Sequence, residues 1–150
     1  MEQSLVLVKP DAMQRGLAGT IIDRLEKRGL KLIAMKMLHM DRALAERHYA
    51  VHTGKPFFEG LINYITSSPI IAIVVEGNRA VEIVRKTMGE TDPAKAETGS
   101  IRGDFGMDIG RNLVHGSDSV ENAEKEISFF FSPDEICSYN RDIDSWITES

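Results

Sequence analysis

The stretch PIIAIVVEG, residues 69–77, carries the strongest strand signal in the chain. Pro69 opens it, and an unbroken run of six apolar residues follows from Ile70 to Val75. A strand with one face in solvent alternates apolar and polar residues, whereas this run does not alternate. The pattern therefore predicts a strand over 70–77 that is covered on both faces.

The segments around this strand carry a mixture of helical and strand patterns. Apolar side chains recur at helical spacing in four segments, and short apolar runs predict three further strands. The predicted helices cover 16–29, 42–52, 58–66 and 79–88, and the predicted strands cover 5–9, 31–38 and 128–131. Asp118, followed three residues later by Glu121, has the form of a capping box and predicts one more helix there.

The order of these elements predicts the fold class. Four strands separated by helices, in two βαβ-like halves, favour an α+β sandwich with a ferredoxin-like layout, in which helices cover a four-stranded antiparallel sheet. A doubly wound parallel sheet is the alternative, but no G-x-G-x-x-G follows the first strand. The 150 residues, 42% of them hydrophobic, suit a single domain over 1–150.

Charge and cysteine content restrict the function class. The net charge of −5 makes nucleic acid an unlikely partner. The one cysteine, Cys137, excludes an internal disulfide and suits a reducing compartment. No apolar run reaches the length of a membrane span, so we expect a cytoplasmic protein.

Residues 89–116 contain six glycines and no regular period, which is typical of a functional loop. His115 ends this segment, beside Gly116 and Ser117. A neutral imidazole can attack a phosphoryl group, and the nearby cations Arg102 and Arg111 could hold its oxygens. The chain has no G-x-x-x-x-G-K-[ST] motif, so any phosphate chemistry must proceed without a P-loop.

Each of the other candidate side chains also has an ordinary structural interpretation. Lys9 ends a strand and could simply extend to solvent, and Phe57 could be a core aromatic rather than a ring that stacks on a base. His48 and His52 have metal-ligand spacing on a predicted helix, but no third ligand is evident, which disfavours a metal site.

The segment NLVHGSDS, residues 112–119, resembles the active-site signature N-x-x-H-[GA]-S-D of nucleoside diphosphate kinases. The resemblance extends over nearly the whole chain. It includes LVLVKPDAMQRGLAGTIIDRLEKRG (5–29), HYAVHTGKPFFEGLINYITSSP (48–69) and MGETDPAKAETGSIRGDFG (88–106).

The resemblance implies a role for individual residues. His115 would be the nucleophile, with Glu126 orienting the other ring nitrogen and Ser117 supporting that arrangement. Lys9 and Asn112 would contact the ribose hydroxyls, with Lys9 also reaching phosphate. The remaining implied nucleotide contacts are Arg85, Thr91 and Arg102 at the phosphates, Tyr49 and His52 in the same cleft, and Phe57 under the base, with Ile109 on the other side of the base.

The resemblance also implies a reaction and its cofactor. The γ-phosphate of a nucleoside triphosphate, mainly ATP, would pass through a phosphohistidine to a nucleoside diphosphate, with low base selectivity because the base is stacked. Mg²⁺ would be held mainly by substrate phosphates, with no direct protein ligands. Members form homo-oligomers, and the tail 133–150 favours a hexamer over a tetramer. The alternative is a nucleotide-binding module without the chemistry.

Overall fold

A computed structural model describes residues 1–149 and shows strands and helices alternating along the chain, as the mixed sequence patterns indicate. Its strands are β1 (Glu2–Val8), β2 (Lys31–Leu38), β3 (Ile70–Gly77) and β4 (Val114–Gly116). Its helices are α1 (Pro10–Gln14), α2 (Ala18–Lys27), α3 (Arg42–His48), α4 (Phe58–Ile65), α5 (Ala80–Met88), α6 (Ile101–Phe105), α7 (Val120–Phe130) and α8 (Asp144–Ile147). Single 3₁₀ turns cover Ala50–His52 and Pro133–Glu135.

The four strands form one sheet in the order β2-β3-β1-β4, and every adjacent pair is antiparallel. This is the order of a ferredoxin-like sheet, so the predicted fold class is confirmed and the doubly wound alternative is wrong. β1 lies between β3 and β4, and its Leu7 is the register partner of His115. The short strand β4 is thereby fixed against a buried strand.

Alternate residues of the central strands supply two cores, one on each face of the sheet. Leu5 and Leu7 of β1 pack with Phe58 of α4 and Phe130 of α7. Val6 and Val8 of β1 point to the other face, where residues of α2 and α5 cover them. Because the sheet is buried on both faces, β3 has the unbroken apolar run that its sequence shows.

Two predictions about strands were wrong, and they are connected. Residues 128–131 do not form a strand: α7 continues to Phe130, and Phe131 follows it as extended chain. Phe130 is buried against the α3–α4 side of the sheet, so this short apolar run belongs to a helix face, which periodicity alone cannot distinguish from a strand. The fourth strand is instead Val114–Gly116, too short to show any period.

The predicted loop 89–116 also contains a short helix, α6, whose N-cap Ser100 accepts a hydrogen bond from Gly103 N. The predicted capping box at Asp118 and Glu121 was wrong by one residue. Ser119 is the N-cap of α7, and its hydroxyl accepts a hydrogen bond from Asn122 N at 3.1 Å.

None of the helices within residues 1–149 has both the length and the apolar character that a membrane crossing requires.

Candidate active site

His115 is the middle residue of β4, the edge strand of the sheet, which packs closely against α5. A Cβ on Gly116 would lie 2.5 Å from Met88 Sδ and 2.8 Å from Val84 Cγ1. Glycine at this position therefore allows the strand to approach α5 closely. The side chain of His115 keeps 23% of its surface accessible, so it remains available to a ligand.

Glu126 and Ser117 fix the orientation of the His115 ring. His115 Nε2 lies 3.2 Å from Glu126 Oε1 and 3.1 Å from Oε2. Ser117 is fully buried, and its hydroxyl donates to Glu126 Oε1 at 2.7 Å. Burial opposes ionisation of Glu126, but the hydrogen bonds from His115 and Ser117 lower its pKa below the usual range. The carboxylate is therefore charged and accepts the Nε2 proton, which leaves the lone pair on Nδ1.

His48, the last residue of α3, is a member of this site that the sequence did not identify in this role. Its ring packs edge-on against that of His115, with centroids 4.7 Å apart. Both of its ring nitrogens are buried without a hydrogen-bond partner in the described part of the chain. Burial, and then the proximity of His115, lower the pKa of His48 to about 3, so the ring is neutral at ordinary pH.

Lys9 and Asn112 meet just beyond the C-terminal end of β1, where Lys9 N also donates to Leu113 O at 2.9 Å. Lys9 Nζ donates to Asn112 Oδ1 at 2.9 Å, and Asn112 Nδ2 donates to the backbone oxygen of Thr91 at 3.0 Å. Burial and the charge of Arg102 lower the pKa of Lys9 to about 8, against a smaller opposing effect of Asp11. The structure thus brings together three of the residues predicted to contact nucleotide.

The backbone before His115 is strained at Leu113, which has a φ of +76°. Val114 N bonds to Asn112 O at 2.9 Å, so Leu113 occupies the middle of a γ-turn, a rare conformation for a non-glycine residue. Asp11 holds this turn, because its Oδ2 accepts from Leu113 N at 3.1 Å while its Oδ1 accepts the Tyr64 hydroxyl. Asp11 and Tyr64 were not identified from the sequence.

Arg102 supports the same turn from inside the protein. It is 4% exposed, and its guanidinium donates to the carbonyl oxygens of Asn112, Gly89 and Val114. Three of its five N–H groups are thus used, and two remain for a ligand. Burial, and then the charge of Arg85, lower the pKa of Arg102 to about 10, so it remains a cation at neutral pH.

Arg85 and Thr91 are both exposed in the structure. Arg85 lies on α5, and its Nη1 donates to Gly116 O at 3.4 Å, which places the guanidinium beside β4. Thr91 lies just beyond α5, where its backbone oxygen supports Asn112. These two residues therefore lie at the edge of the His115 site rather than inside it.

Phe57 lies at the mouth of a cleft of about 590 Å³ between α4 and residues 110–111. Half of its surface is exposed, which is unusual for a core aromatic. The His52 ring lies 5.2 Å from Phe57 and 6.3 Å from Tyr49, so the structure brings these three predicted residues together. The other lining residues of the cleft are Pro56, Gly60, Leu61, Asn63, Tyr64, Ser67, Gly110 and Arg111.

His48 and His52 do not form the metal pair that their spacing allowed, because α3 ends at His48 and His52 lies in a separate 3₁₀ turn. Within residues 1–149, His48 instead groups with His115 and Glu126, with one ligand atom of each within 4.8 Å of the others. A larger groove of about 1300 Å³ runs between α2 and α5, but it includes Arg85 without His115. The His115 site therefore lies outside this groove.

Known proteins resemble this chain in sequence and in structure. Residues 2–136 match the family model "Nucleoside diphosphate kinase". The nucleoside diphosphate kinase of Thermomicrobium roseum is 58% identical over 147 residues, which cover 98% of this chain and 99% of the relative. That of Archaeoglobus fulgidus is 56% identical over 149 residues, which cover 99% of both chains.

Solved structures give the same result. A halophilic nucleoside diphosphate kinase from Halobacterium salinarum, solved in complex with CDP, superposes with a TM-score of 0.95 at 48% identity and covers 98% of both chains. A nucleoside diphosphate kinase family protein from Babesia bovis superposes at 0.96 with 40% identity, covering 99% of this chain and 100% of its own. On the sequence match over 2–136 and these full-length similarities, the chain belongs to the nucleoside diphosphate kinase family.

Proposed function

We propose that this chain transfers the γ-phosphate of a nucleoside triphosphate, mainly ATP, to a nucleoside diphosphate through a phosphohistidine at His115. One observation carries the proposal. Glu126 engages His115 Nε2 from 3.1 Å, while Nδ1 has no hydrogen-bond partner among the described residues. A neutral imidazole held in this way presents a lone pair at Nδ1, which is what a nucleophile requires.

The first half-reaction follows from this geometry. The Nδ1 lone pair attacks the γ-phosphorus, an N–P bond forms, and the bond from phosphorus to the β–γ bridging oxygen breaks. That oxygen keeps the electron pair and leaves as part of the nucleoside diphosphate. The ring retains its Nε2 proton and becomes cationic, and the adjacent Glu126 carboxylate stabilises this charge. A second diphosphate then reverses these steps.

The other predicted residues are proposed to hold the nucleotide. Lys9 and Asn112, already hydrogen-bonded to each other, would contact the ribose hydroxyls, and Lys9 would also reach phosphate. The exposed Arg85 and Thr91 and the two free N–H groups of Arg102 would contact phosphate oxygens. Phe57 would stack on the base, with the neighbouring rings of His52 and Tyr49 beside it and Ile109 near the base's other face. Stacking is tolerant of sequence, so base selectivity would be low.

Enzymes of this family are phosphotransferases that use nucleotides with a divalent metal ion. We propose Mg²⁺ as that ion, bound mainly through the substrate phosphates. Mg²⁺ prefers oxygen ligands, whereas the candidate metal group within residues 1–149 has two imidazoles and one carboxylate. The donor set at the nucleophile therefore does not fit a protein cage for Mg²⁺.

The assembly and the location of the protein are also proposals. Two apolar residues of edge strand β2, Met35 and Met37, and Trp146 near the end of the chain are exposed, which supports a homo-oligomer. We propose a hexamer, with a tetramer as the alternative, and a mass from sedimentation equilibrium would distinguish them. Residues 1–150 are proposed to form one domain. The exposed free thiol of Cys137 suits the cytoplasm.

Phosphoryl labelling tests the function. The protein incubated with γ-labelled ATP and Mg²⁺ should retain acid-labile, base-stable label, and the label should move to added GDP or CDP. His115→Ala should abolish both label and transfer, while His39→Asn, an exposed control histidine, should retain both. Nucleotide binding without any label on the protein would instead identify a binding module.

A further inference from the structure

Three side chains from separate elements meet beside β4: His48 at the end of α3, His115 on β4 and Glu126 on α7. One ligand atom of each lies within 4.8 Å of the others. Ligands of a tetrahedral Zn²⁺, with bonds of about 2.0–2.1 Å, lie roughly 3.3 Å apart. His115 Nε2 and Glu126 Oε2 are already 3.1 Å apart. A small shift of His48 would therefore complete three corners of a tetrahedron.

The proposed phosphotransfer reaction gives no role to the ring nitrogens of His48. Both ring nitrogens are buried and lack a hydrogen-bond partner within residues 1–149. A buried polar atom without a partner costs about 1–3 kcal/mol, so such atoms in native proteins usually serve a ligand or a function. One nitrogen of a neutral imidazole carries a lone pair, which makes this ring a ready metal ligand.

The donor set selects the kind of metal. Two imidazoles and one carboxylate are the protein ligands of a well-known class of zinc sites, which keep a fourth position open for water. Mg²⁺ and Ca²⁺ instead prefer sites made of oxygen. The cluster therefore suits Zn²⁺ and should not compete for the Mg²⁺ that accompanies the nucleotide.

We propose that His48, His115 and Glu126 form an inhibitory Zn²⁺ site. A metal on His115 Nε2 displaces the proton that Nε2 now donates to Glu126. A neutral imidazole holds one proton, so this proton must reside on Nδ1, the nitrogen that attacks phosphate. Zn²⁺ binding thus converts the ring to the tautomer that cannot act as a nucleophile.

Metal binding itself does not depend on what His115 does in the reaction, whereas the inhibition rests on the proposed function. Two measurements keep these parts separate. Calorimetric titration of the nucleotide-free, full-length protein with Zn²⁺ measures the site alone. Formation of phosphohistidine from ATP, at fixed excess Mg²⁺ and increasing Zn²⁺, measures the consequence.

The titration should show about one Zn²⁺ per chain in the wild type. His48→Asn and His48→Phe, each checked by its thermal melt, should weaken binding at least about 10-fold, since outer-shell changes alone weaken metal sites by that much. The matched control His39→Asn should bind as the wild type does. No binding by the wild type, or wild-type affinity in both folded His48 variants, would overturn the site.

The labelling assay then tests the switch. Zn²⁺ should suppress phosphohistidine formation in the wild type and in His39→Asn. The Zn²⁺ concentration for half-suppression should rise in His48→Asn by the same factor as its dissociation constant, each variant being compared with its own zinc-free rate. Tight Zn²⁺ binding with undiminished labelling would leave the site standing and refute the tautomer switch. A zinc-free wild type that takes no label would instead refute the proposed function.

Discussion

His115 Nε2 lies about equally far from both oxygens of the Glu126 carboxylate, at 3.2 and 3.1 Å. The carboxylate accepts from the ring and from the Ser117 hydroxyl, and Ser117 Oγ in turn accepts from Leu5 N at 3.1 Å. The orientation of the imidazole is thus connected to the backbone of the buried strand β1. A tautomer fixed in this way does not have to be selected during each turnover.

Glu126→Ala should therefore slow phosphorylation of His115 more than it weakens nucleotide binding. We expect the single-turnover rate to fall about 10- to 100-fold, the range found when carboxylates that orient metal-bound imidazoles are removed. Glu126→Gln keeps a hydrogen-bond acceptor without the charge, so its loss should be smaller. Rapid-quench measurement at saturating ATP gives the rate. An unchanged rate with a raised KM would contradict the orienting role.

Asp11 should matter to catalysis through the strained turn at Leu113. Asp11→Ala would leave the buried Leu113 N without its acceptor, at a cost of about 1–3 kcal/mol in the free energy of unfolding. The turn would relax, and kcat should fall because Asn112 and His115 flank it. Asp11→Asn retains an acceptor oxygen and should recover most of kcat, as measured by steady-state kinetics with urea unfolding in parallel. An Asn variant no better than Ala would contradict this role.

The sequence predicted the elements whose pattern repeats and missed those fixed by partners far along the chain. Strands β2 and β3 match their predicted ranges because a long apolar run is sufficient evidence. Strand β4 has three residues, and it is a strand because Val6, Leu7 and Val8 supply its pairing partners. Such pairing leaves no period in the local sequence.

The same division holds within the site. His115, Lys9 and Asn112 lie in recognisable motifs, and the structure brings Lys9 and Asn112 within 2.9 Å of each other. His48 and Asp11 also lie within the matching segments, but the local sequence assigns them no role, because that role follows from contacts with His115 and with the turn at Leu113. Their roles depend on contacts across 67 and 102 residues of sequence, from His48 to His115 and from Asp11 to Leu113.

Phe57 should contribute to nucleotide binding but little to the chemical step. Removal of a stacking ring costs about 1–3 kcal/mol per base, so Phe57→Ala should raise KM roughly 5- to 150-fold for purine and pyrimidine nucleotides alike. Because half of the ring is exposed, stability should change little. Phe57→Tyr, which keeps the ring, is the control. A large effect on kcat, or on one base only, would contradict simple stacking.

His48 should make the protein sensitive to acid. The pKa of His48 is lowered to about 3 by burial and by His115, whereas an unfolded histidine titrates near 6.5. Between these values the unfolded chain binds a proton that the folded chain does not. The free energy of unfolding should therefore fall as pH decreases, by up to about 1.4 kcal/mol per unit from this group. Urea unfolding of His48→Asn should show a shallower decrease below about pH 6.5 and no difference in slope above it. Equal slopes for wild type and variant would contradict the assignment.

Lys9 should set the alkaline limit of activity. Burial and the charge of Arg102 lower the pKa of its ammonium to about 8, from an ordinary value of 10.5. The charged form that attracts phosphate is present below this pKa and is lost above it. Because kcat/KM reports groups of the free enzyme, it should decline above about pH 8. Bound phosphates favour the ammonium, so kcat at saturating nucleotide should remain constant to higher pH.

The control is Lys9→Arg, which stays charged. Its kcat/KM should not decline above about pH 8, even though its activity is lower. A kcat/KM profile that falls equally in the Arg variant would assign the limit to another group.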